Sequence, residues 1–85
     1  DMRLPNLVVA VEGCVTLNLA DIFTTKGQSV EVANEAIATA KLDDNSLIIT
    51  GISEGQTLLK LICEDGTTHN STITVRKETN DNGWL

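Results

Sequence analysis

The stretch LIITGISEGQTLLKLICEDGTT, residues 47–68, sets two apolar runs on either side of a short glycine-containing connection and closes on Asp65-Gly66. In its second run Leu59, Leu61 and Cys63 share one face, with Lys60 on the other. A repeat of two is the period of a pleated strand, whose side chains alternate between faces, and not the 3.6 of a helix. Asp-Gly between β-rich runs is a strong signal for a tight turn. Residues 47–68 therefore read as two strands that form the core scaffolding of a β-structure.

The same period extends outward in both directions. CVTLNL (14–19), QSVEVA (28–33) and HNSTITVRK (69–77) alternate, while NLVVAV (6–11), SLIITG (46–51) and TLLKLICE (57–64), the longest, read as strands from their β-rich apolar content. ADIFTTKG (20–27) reads as a connection whose Ile22 and Phe23 fold inward as a plug. EAIATAKL (35–42) has the alanines of a helix, but its period is two and eight residues make a marginal helix; it is assigned as a short edge strand. LDDNS (42–46) is a turn of residues that hydrogen-bond their own backbone. Seven strands with turn chemistry between them, and no convincing helix, predict an all-β sandwich of about seven antiparallel strands over residues 1–77. ETNDNGWL (78–85) is assigned as a polar C-terminal tail. The predicted core comprises Val9, Val15, Leu17, Leu19, Phe23, Val30, Val32, Ile49, Leu59, Leu61, Ile73 and Val75.

Eighty-five residues allow one hydrophobic core. With Phe23 and Trp84 the sole aromatics, that core must be aliphatic. Twelve acids against six bases give a net charge of −6, and the bases form no run. No basic stripe exists to engage phosphates, which argues against nucleic acid and anionic membranes as partners. No apolar run approaches the roughly 20 residues of a membrane span. The chain opens on Asp1-Met2, read as a processed chain or an excised piece; a cytosolic fragment is the alternative. Alternation turns Cys63 inward and Cys14 outward, which disfavours a disulfide between them.

Catalysis finds little support. The sole histidine, His69, follows a tight turn and reads as a solvated loop residue, with no second His or Cys near enough in sequence for a zinc site. Gly51 and Gly55 precede no helix, so no phosphate-binding loop is present. With Phe23 buried and Trp84 on the tail, no aromatic platform is available for a sugar. The acidic turn Asp43, Asp44 and Asn45, and Asp65 at a strand end, carry oxygens of the kind calcium takes.

VTLNLADIFTTKGQSVEV (15–32), together with LIITGISEGQTLLKLICEDGTT and STITVRKE (71–78), resembles bacterial Ig-like and cadherin-like (dystroglycan-type) repeats. Asn18-Leu19-Ala20-Asp21-Ile22-Phe23 stands where those repeats carry a D-L-S-x-x-F-like turn. TTKG replaces their acidic D-x-D-G loop. ETNDN is similar to the cadherin linker D-x-N-D-N, and the resemblance implies calcium at Glu78, Asn80, Asp81 and Asn82. It further implies a non-enzymatic structural, adhesion or spacer module of a secreted or cell-surface bacterial protein, with no other cofactor. Its expected partners are proteins or neighbouring domains of the same chain, as a monomer or a weak edge-strand oligomer. A calcium-stiffened repeat and an accessory carbohydrate-binding domain of a larger enzyme are the alternatives. In a bacterial setting the glycosylation triplet Asn70-Ser71-Thr72 carries no meaning.

Overall fold

Two sheets face one another across the aliphatic core of a computed structural model that describes residues 4–77. The strands are β1 (Leu7–Ala10), β2 (Cys14–Asn18), β3 (Gly27–Val32), β4 (Ala38–Asp43), β5 (Ser46–Gly51), β6 (Gly55–Cys63) and β7 (Thr68–Arg76). One sheet is ordered β1-β7-β6-β3 and the other β2-β5-β4. This is the all-β, seven-stranded sandwich that the alternation predicts.

The opening stretch supplies β5 and β6, and each strand anchors a different sheet. Within β6, Thr57, Leu59, Leu61 and Cys63 are all buried, and the facing residues of β5 are Leu47, Ile49 and Gly51. Ile73 and Val75 of β7, with Leu7 and Val9 of β1, complete the layer opposite β5. Phe23 closes one end of the core, as the predicted plug, while Ile22 packs against it half-buried. Leu4, Leu7, Ala38 and Leu47 join the core beyond the residues predicted for it.

Three local features depart from the sequence reading. β1 runs parallel to β7, with Leu7 beside Ile73 and Val9 beside Val75, so the sandwich is not antiparallel throughout. Residues 19–21 form a 3-10 turn capped by Asn18, whose side-chain oxygen accepts from the Ala20 N–H at 3.1 Å. The predicted strand at 35–42 starts only at Ala38. Asn34 causes the delay: its side chain accepts from Ala36 N–H at 3.0 Å, and its carbonyl accepts from Ile37 N–H at 3.1 Å. That Asx turn consumes the backbone groups a strand would need.

Beyond Ala10 the chain crosses from one sheet to the other. Glu12 takes a left-handed φ of 65°, and its N–H donates to the Gly51 carbonyl at 3.0 Å. Here Gly51 has no room for a side chain, because a Cβ would sit 2.3 Å from the Ala10 carbonyl oxygen.

Candidate functional site

The calcium quartet Glu78, Asn80, Asp81 and Asn82 lies outside the described residues, as does Trp84. The second acidic turn is well defined and has a structural task. Asp44 and Asn45 take φ of 49° and 67°, both left-handed, and form the two-residue connection of the β4–β5 hairpin. The Asn45 side-chain oxygen accepts from Gly27 N–H at 3.0 Å and its carbonyl from Leu19 N–H at 3.1 Å. The turn thus ties together both ends of the β2–β3 connection, and its amide oxygen is engaged. Among the described residues no group of three or more His, Cys, Asp or Glu side chains is placed to hold a metal ion.

His69 is not a solvated loop residue. It sits half-buried on β7, opposite Leu61, with its ring centroid 4.3 Å from that of Phe23 at a tilt of 36°. Its Nε2 lies 3.0 Å from Thr67 Oγ1, which in turn donates to Asp65 Oδ1 at 2.6 Å. The Thr67 N–H reaches the same carboxylate oxygen at 3.0 Å. A threonine hydroxyl carries a single proton. Directed at Asp65, it leaves the oxygen to accept from the imidazole N–H. A nucleophile–base pair needs the opposite polarity, with the hydroxyl donating to the ring. The arrangement therefore orders the β6–β7 turn and supplies no activated nucleophile. These hydrogen bonds from Thr67, with a lesser pull from His69, hold the Asp65 carboxyl below the usual aspartate range.

The cysteines are unpaired, with Cys14 exposed on β2 and Cys63 buried on β6. Burial pushes the Cys63 thiol up, against a smaller opposing hydrogen bond with Thr67. A thiol so shielded is the inert kind, since the thiolate is the reactive form. Ser71 of the glycosylation triplet is buried and donates to the Pro5 carbonyl at 2.5 Å.

The opposite end of the sandwich carries a shallow groove of about 610 Å³ between the β5–β6 connection and the end of β7. Glu54, Gln56, Thr74 and Lys77 line it, with Gln56 Nε2 donating to Thr74 Oγ1 at 3.0 Å. Its walls mix polar and apolar surface, it stands open to solvent, and no aromatic ring among the described residues faces it, so it lacks the apolar enclosure of a small-molecule site. Val8 and Leu58 are more than half exposed, and both lie on the outer face of the four-stranded sheet. Strand alternation could have indicated both, since each is out of phase with the core residues beside it.

Comparison with known proteins adds three findings. Residues 20–76 match the family model described as the pilus formation protein N-terminal region, from the 3-10 turn through β7. The solution structure of the PKD domain from KIAA 1837 protein is similar with a TM-score of 0.56 over 99% of this chain and 91% of its own. At 15% identity that likeness shows the fold alone. No curated protein matches the chain. Together these findings point to an Ig-like sandwich and do not single out the cadherin-like repeats.

Proposed function

The chain belongs to the pilus formation protein N-terminal family, and from that premise we propose that it is a non-enzymatic structural module of a bacterial secretion-type pilus assembly. In this reading it works outside the cytoplasm and engages other protein domains. The observation that carries the reading is the family match across residues 20–76. The fold is consistent with it. The described residues bring together no activated nucleophile, and the one polar relay, Asp65–Thr67–His69, runs the wrong way for catalysis. A sandwich tied at its hairpins by Asn45 and Thr67 makes a stiff link, with its loops and sheet edges left to meet partners.

β1 runs parallel to the last four residues of β7, Ile73–Arg76, whose β6 partners begin at Gly55, so both strands finish at the Glu54 end. The test is an in-frame deletion of residues 7–76 in the source bacterium, with parent-protein levels checked by immunoblot and surface pili counted by electron microscopy. Loss of pili at unchanged protein level is expected. Normal piliation without the module overturns the reading.

A further inference from the structure

Sheet edges expose unpaired N–H and C=O groups, and proteins guard them with charge, proline, bulges or cover. Three of the four edges here are guarded. β1 is a four-residue strand preceded by Pro5. β3 carries a register irregularity between Gly27 and Ser29 and has Glu31 in its middle. β4 bears Lys41 and Asp43 and packs against β3. β2, Cys14-Val15-Thr16-Leu17-Asn18, has no charge, no proline and no bulge.

The hydrogen-bond phase shows which groups of β2 are open. Gly51 N–H donates to the Gly13 carbonyl at 3.0 Å, and Leu19 N–H to the Asn45 carbonyl at 3.1 Å. Both pairs lie in the β2–β5 register, so the odd-numbered residues bond β5. Cys14, Thr16 and Asn18 therefore turn their backbone groups to the open side, and no described residue meets them there. Val15 and Leu17 point to the core yet remain only partly buried, with no described strand beyond β2 to cover them.

We propose that the free edge of β2 pairs antiparallel with β2 of a second copy of this chain, joining two three-stranded sheets into one of six. The strand is complementary to itself about Thr16. Thr16 falls opposite its own symmetry mate, a favourable Thr–Thr pair, and Cys14 falls opposite Asn18. On the inner face Val15 meets Leu17 of the other copy, so each half-exposed residue gains the cover it lacks. The uncharged strand meets no like charge within the paired segment despite the chain's net −6. A five-residue contact is small, which places the dimer in the weak, concentration-dependent class.

The purified full chain tests this without reference to piliation, so the two proposals fail separately. Directly opposed residues of a hydrogen-bonded pair lie about 5.5 Å apart at Cα, within disulfide reach. In a Cys14→Ser background, Thr16→Cys is expected to form a disulfide-linked dimer under mild oxidation, and Lys41→Cys at the far edge of the same sheet is not. Sedimentation equilibrium should show a dimer growing with concentration, and Thr16→Lys should abolish it while leaving the thermal midpoint of the monomer unchanged. A monomer at every concentration, or Thr16→Cys linking no faster than Lys41→Cys, overturns the pairing. A dimer indifferent to Thr16→Lys overturns it as well, by placing the contact elsewhere.

Discussion

Strands β6 and β2 alternate with the same clarity, yet β6 buries all four residues from Thr57 to Cys63 that point inward, whereas β2 leaves Val15 and Leu17 half-exposed. Alternation is equal in the two; neighbours are not. β6 lies between β7 and β3, while β2 has β5 on one side and no described strand on the other. Period two thus tells which way a side chain points, and the strand's place in the sheet decides how much water it loses.

Truncating one residue from each strand sharpens that contrast most. Leu61→Ala removes a fully buried side chain from the middle of the core and should cost about 3 kcal/mol. Leu17→Ala deletes the same atoms at an edge and should cost about 1 kcal/mol, since less area leaves water and the gap stays open to solvent. Urea unfolding of the monomer at low concentration measures both. Equal costs would mean that β2 is covered in solution.

The next largest effect lies where the two sheets are sewn together. Gly51→Ala places a methyl against the Ala10 carbonyl, which is backbone and cannot swing aside. The β1–β2 crossing must shift, losing the Glu12-to-Gly51 and Gly51-to-Gly13 hydrogen bonds. A loss of roughly 2 kcal/mol is expected, in the range of overpacked sites. Hydrogen exchange should locate the weakening at residues 10–14 and 51, leaving the centre of β6 protected. A loss spread evenly through both sheets would break the distinction between seam and core.

How much of this was legible in sequence follows the same logic. The seven strands and the inward Leu59, Leu61, Ile73 and Val75 were readable because each follows from local alternation. The parallel pairing of β1 with β7 was not, because nothing in either strand encodes the direction of so distant a neighbour. Leu47 and Ala38 escaped the predicted core because Ile48 and Ile37 beside them are as apolar, and the phase of such a run is set by tertiary contacts. His69 was misread for a related reason: its surroundings in the chain are polar, and Phe23, which covers its ring, arrives from the β2–β3 connection. The acidic turn at Asp43–Asn45 was recognisable as a turn, but not as the acceptor for Gly27 and Leu19. The implied calcium residues Glu78, Asn80, Asp81 and Asn82 fall outside the described structure.

The two thiols extend the comparison to chemistry. Cys14 on β2 should react with a disulfide reagent at once, whereas Cys63 on β6 should wait for unfolding. Because burial raises the Cys63 thiol in the folded state, the neutral form is favoured there. Stability from this group is complete below the unfolded cysteine range, near pH 8.5, and is lost as pH rises through the folded value. The urea midpoint of the native chain should fall as pH rises above about 8.5. Cys63→Ala lowers stability at neutral pH but should flatten that alkaline slope. An unchanged slope would assign the alkaline loss to other groups.

The smallest effect has the opposite sign and sits at the turn that follows β6. Thr67 donates two hydrogen bonds to Asp65 in the folded chain and favours its ionised form. The folded carboxyl titrates below the unfolded one, so its contribution is present above the unfolded value, near pH 4, and disappears as pH falls through the folded value. Asp65→Asn keeps an oxygen acceptor for the Thr67 N–H but removes the charge. Near neutral pH it should weaken the fold slightly, and the difference from the native chain should vanish at the acid end. Amide spectra should show the change confined to residues 64–69, with Phe23 following through the His69 ring. If the Asp65→Asn difference persists unchanged to pH 2, the turn is held by its backbone geometry, with Gly66 at a φ of 91°, and the carboxylate adds nothing to it.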